Sequence, residues 1–73
     1  MARRKSVEVN ELKERINKAK KLGLAEEVRD YMIEALTVAY DFYYPIEVSE
    51  KILKCTTETQ IASIMTQSRI KYV

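Results

Sequence analysis

The sequence predicts an all-α fold: a small compact bundle of three to four helices with a long central second helix. Three observations predict it. Apolar residues recur at three- and four-residue steps along most of the chain, the period of a helix face. Leu, Ile, Ala, Glu and Lys dominate the composition, which favours helix. One Gly and one Pro leave little material for hairpin turns. With 73 residues there is room for one domain, over residues 6–73, behind a basic tail at residues 1–5. A chain this short buries only about 60% of the surface its unfolded form exposes, so its margin of stability is thin.

In "SVEVNELKERINKAKKLGL", Val9, Leu12, Ile16 and Ala19 form one helical stripe. Ser6 is placed to cap the first turn. Glu11 with Arg15, and Glu14 with Lys18, stand four apart in the favourable order. Lys18, Lys20 and Lys21 fall in the last turns, where cations complement the helix dipole. Gly23 stands where a left-handed residue ends a helix, with Leu24 folding back behind it.

The second helix is predicted over residues 25–43. Glu26 and Glu27 occupy its favourable anionic end. Glu27, Asp30, Glu34, Thr37 and Asp41 make one narrow polar strip, leaving an apolar arc of roughly 220° where an ordinary surface helix has about 100°. Such a helix must be covered on two sides. Val28, Met32, Ala35, Leu36, Ala39 and Tyr43 lie along the middle of the arc and are read as core. Ile33 and Tyr40 lie toward one margin, and Tyr31, Val38 and Phe42 toward the other.

Pro45 ends this helix, because the residue before a proline is pushed out of the helical region, and it suits the first position of the next. There Val48, Ile52 and Cys55 share one face, Ile46 and Leu53 another, with Glu47–Lys51 and Glu50–Lys54 as surface pairs. "TTETQ" then reads as a capping box, Thr57 capping and Gln60 reaching back. Ile61, Ile64, Met65, Ser68 and Tyr72 continue as a single stripe. The core is expected at Leu12, Ile16, Met32, Leu36, Ile52, Ile61 and Met65, with Ile70 on the outside.

The chemistry of catalysis is thin. There is no histidine, no Gly-rich loop to cradle a phosphate, and a single cysteine, too few for a structural zinc site. Cys55 has no identifiable base beside it and reads as a small core residue. The carboxylates Asp30, Glu34 and Asp41 read as a solvated face. No enzyme activity, cofactor or metal is expected. A lone cysteine points to a reducing, cytoplasmic setting, and no apolar run is long enough to span a membrane.

Charge divides unevenly. Residues 1–24 hold eight basic and three acidic side chains, residues 25–44 one Arg against five acids. A basic first helix packed beside an acidic second one accounts for this. A nucleic-acid reading would use Arg3, Arg4 and Lys5 as a minor-groove arm, with Arg69 and Lys71 on the last helix. "TETQIASIMTQSRI" resembles the middle of a helix-turn-helix, with "TQS" as the turn. It departs from that pattern at Thr66, where the turn glycine belongs, and at Val73, which is too early for a full recognition helix. The unbroken stripe from Ile61 to Tyr72 predicts one continuous helix instead.

Five of the six aromatic residues lie between residues 30 and 45. Rings at the margins of an apolar arc suit an interface, since a tyrosine buries its ring and keeps its hydroxyl wet. Tyr31, Ile33, Tyr40 and Tyr44 are the expected contact residues. The expectation is a non-catalytic interaction module that self-associates or binds and occludes a partner. By analogy with small regulators and inhibitors of viruses and mobile elements, it would act as a regulator or inhibitor, and a homo-oligomer is expected. A DNA-binding regulator is the alternative.

Overall fold

The computed structural model describes residues 6–72, with side chains from residue 10 onward. Four helices follow one another: α1 (Ser6–Lys21), α2 (Glu26–Asp41), α3 (Ile46–Leu53) and α4 (Glu58–Lys71). No strand occurs among the described residues. Helix α2 packs against all three others, while α1 and α4 do not pack on each other, so the second helix is the hub the wide apolar arc requires. The molecule is flat, 36 × 27 × 16 Å, and a flat body has few positions remote from solvent. Among the described residues, only Met32, Leu36, Ile52 and Ile61 are large side chains fully withdrawn from water. Ala19, Ala35, Ala39, Val48 and Cys55 fill the space between them. Leu12, Ile16 and Met65, expected in the core, are only half-buried, and Ile70 is 76% exposed on the outer face of α4.

The end of α2 differs from the expected boundary and is the most informative part of the chain. The helix stops at Asp41, with Phe42 as its cap. The Tyr43 amide donates to the Tyr40 carbonyl (3.2 Å) and the Tyr44 amide to the Ala39 carbonyl (3.0 Å). These two bonds form a Schellman motif, with Tyr43 at the position that glycine usually takes. Its φ is +58°, the left-handed region, and no other described non-glycine residue has a positive φ. The proline explains the early stop: with Tyr44 barred from the helical region, the chain needs two residues before it to turn. Tyr43 is therefore not core. It turns outward and is 54% exposed.

The other helix ends follow the sequence closely. Gly23 has φ +72° just beyond α1. Pro45 is the cap of α3 rather than its first residue. At α4 the Gln60 amide donates to Thr57 Oγ1 (3.2 Å), while Gln60 Oε1 accepts from the Thr56 amide (2.8 Å), a capping box shifted back by one residue. Helix α4 runs unbroken through Thr66–Ser68, so "TQS" is not a turn. The cap assigned to Ser6 lies outside the described side chains. Of the four expected pairs only Glu11–Arg15 forms (3.5 Å). No ion pair among the described residues joins α1 to α2, because the lysines late in α1 and the acids of α2 both point to water.

Candidate functional site

The Schellman turn sorts the aromatic stretch by face. Its backbone reversal sends Phe42 and Tyr43 outward and folds Tyr44 back onto the core. Phe42 is 63% exposed and Ile46, at the start of α3, 54%. Together with Tyr43 they put three of the five exposed large hydrophobic side chains among the described residues within five residues of chain, at the corner between α2 and α3. Scattered single exposures are ordinary, whereas a contiguous apolar patch marks a contact surface. The corner is braced from behind. The Tyr44 ring lies 5.9 Å from that of Phe42 and 5.7 Å from that of Tyr72 at the end of α4. Lys71 Nζ sits 5.4 Å from the centre of the Tyr72 ring, within cation–π range.

A cleft of about 160 Å³ opens beneath this corner, between α1, α2 and α3. Tyr40, Tyr44, Ala39 and Ile46 line it, and Glu11, Arg15 and Ser49 supply its polar groups. Tyr40 and Tyr44, expected to act together as helix neighbours four residues apart, do meet here. They meet because the turn returns Tyr44 to the helix, not because the helix continues through it. Tyr31 and Ile33 line a different feature, a shallow and mainly apolar groove of about 630 Å³ shared with Met65 and Arg69 of α4. All four tyrosine and isoleucine positions are half-buried, and Tyr31, Ile33 and Tyr44 pack against the core. The most exposed members of the corner, Phe42, Tyr43 and Ile46, were not among the expected contact residues. The signal for them was the proline: counting back from Pro45 places the left-handed turn at Tyr43.

Arg69 and Lys71 are exposed near the end of α4, and Arg3, Arg4 and Lys5 lie outside the described residues. The acids Glu27, Asp30, Glu34 and Asp41 are all exposed. Among the described residues no group of three or more His, Cys, Asp or Glu could hold a metal ion. Cys55 is buried and donates to the Lys51 carbonyl (3.3 Å), and burial raises its thiol pKa, which disfavours the reactive thiolate. No described helix is long and apolar enough to cross a membrane. Set against known protein families, curated proteins and solved structures, the chain matches none of them.

Proposed function

We propose that this chain is a non-catalytic interaction module that binds another protein surface through the corner between α2 and α3, acting by occupying that surface. The observation that supports this reading is Tyr43. A bulky residue held at φ +58° costs on the order of 1–2 kcal/mol where glycine would cost nothing. Strain of that kind clusters at binding and switch sites. Here its effect is to present a ring beside Phe42 and Ile46, and aromatic anchors of this type dominate binding energy at interfaces. The partner is either a second copy of the chain or a different protein whose activity the contact blocks.

The test is a Phe42→Ser, Ile46→Ser double variant compared with an Ile70→Ser control, by light scattering, affinity capture and circular dichroism. Both residues are more than half exposed, so helicity should be preserved. Loss of each anchor should weaken the contact by about 2 kcal/mol, roughly thirtyfold in affinity. Equal behaviour of the double variant, the control and the wild-type chain in every binding assay overturns the reading.

A further inference from the structure

The cleft beneath the corner contains polar groups, Arg15 and Ser49, that the described residues leave poorly matched. The Arg15 side chain is only 17% exposed, and its one ion pair, to Glu11, is 3.5 Å long. A good guanidinium–carboxylate bond is about 2.7–2.9 Å. A guanidinium carries five N–H donors, and no other described group accepts from this one. Ser49 is 4% exposed, lines the same cleft, and its hydroxyl makes no hydrogen bond to any described residue. A buried donor without an acceptor is unfavourable and calls for an occupant. Water satisfies a hydroxyl, but a sequestered cation favours an anion. Glu11 is a weak answer, since its side chain is 51% exposed and reaches Arg15 only at long range.

The walls narrow the choice. The accessible lining is mainly polar, with Tyr40, Tyr44 and Ile46 at its edges, which suits a charged group more than an apolar one. The cleft, about 160 Å³, has room for a carboxylate group. A planar carboxylate also matches the guanidinium fork with both oxygens. A phosphate dianion would meet the Glu11 charge with a single cation to offset it. We infer that this cleft receives the carboxylate of an acidic side chain from the protein that docks on the corner. Arg15 and Ser49 are its donors, and Glu11 is an internal placeholder that the incoming group displaces. The inference rests on the corner being a protein contact, and it adds the chemistry of the partner: an acidic residue beside an apolar patch.

The probe is N-acetylglutamate methylamide, whose only charge is the side-chain carboxylate, with N-acetylglutamine methylamide as its neutral isostere. Titration of the labelled protein is followed by NMR at the Arg15 side-chain N–H and the Ser49 amide. The glutamate probe should shift both signals saturably and the glutamine probe should not. Glu11→Gln, which removes the placeholder, should tighten binding about threefold or more, and Arg15→Gln should weaken it by about tenfold or more. Arg15→Lys, which keeps the charge without the fork, should fall between. If Arg15→Gln lowers helicity, Glu11→Gln decides alone, because Glu11 is largely in water. Equal binding of the glutamine probe, no tightening with Glu11→Gln, or tighter binding of inorganic phosphate than of the glutamate probe each overturns the assignment. Phe42→Ser alone, at a residue that does not line the cleft, should retain the probe while weakening the partner, so the cleft and the corner fail separately.

Discussion

Replacing Tyr43 by alanine and by glycine should reverse the usual order of the two residues. In a helix interior glycine is less stable than alanine by about 0.5–1 kcal/mol. At Tyr43, with φ +58°, alanine keeps the clash between its Cβ and the backbone, about 1–2 kcal/mol. Alanine regains about 0.4–1 kcal/mol through the lower entropy of its unfolded chain. The difference leaves Tyr43→Gly more stable than Tyr43→Ala by about 1 kcal/mol. Both variants lose the same ring, so the comparison isolates the backbone. Urea melts followed by circular dichroism would measure it, and in a domain of this size 1 kcal/mol moves Tm by about 4–8 °C. Gly23 supplies an internal calibration. Its φ is +72°, and a Cβ added there meets nothing within 4 Å, so Gly23→Ala should lose a similar amount for conformational reasons alone. If Tyr43→Ala matches or exceeds Tyr43→Gly in stability, position 43 is not left-handed in solution, and the strain argument for the corner fails with it.

Two further predictions bear on the core and on the alternative function. Leu36 is fully buried, so Leu36→Ala should lose about 2–5 kcal/mol, a large share of the stability of so small a domain, while Ile70→Ala should stay within about 0.5 kcal/mol; equal losses in urea melts would refute the face assignment of α2 and α4. Deleting residues 1–5 should leave helicity and partner binding intact, and duplex DNA should bind weakly, without sequence preference, and release as salt rises. A gel shift that is tight and sequence-dependent at physiological salt would instead favour the DNA-binding regulator.

Most of the fold was legible because its signals are local and repeat every turn. The stripes through Met32 and Leu36, through Val48 and Ile52, and through Ile61 and Ser68 all proved to be inward faces, and Gly23 and Thr57 mark helix ends by their own chemistry. Degree of burial was less legible. Leu12, Ile16 and Met65 lie on the right faces yet remain half-exposed, because depth depends on how many neighbours a flat bundle supplies, and periodicity carries no such information. Charge pairing was poorly legible even within a helix, where one of the four expected pairs closes. Glu11–Arg15 closes, whereas the opposite charges of α1 and α2 stay in water, where an exposed pair gains little over hydration.

The end of α2 departs from the helical wheel for a single physical reason. A wheel drawn through residues 40–44 treats Tyr43 as inward, but the two bonds of the Schellman turn, to Tyr40 and to Ala39, rotate the chain out of the helical frame after Asp41. The left-handed residue thus changes the faces from Tyr43 onward. Tyr43 joins Phe42, already at the margin of the arc, on the surface, and Tyr44 becomes a wall that touches Phe42, Tyr72 and the cleft over Arg15. The same turn therefore generates the apolar patch and closes the polar cleft beneath it. A partner that reads the patch is necessarily brought over the cleft. That adjacency is why an acidic residue next to apolar ones is the complementary surface, and why relaxing the turn with glycine would cost recognition even where it steadied the fold.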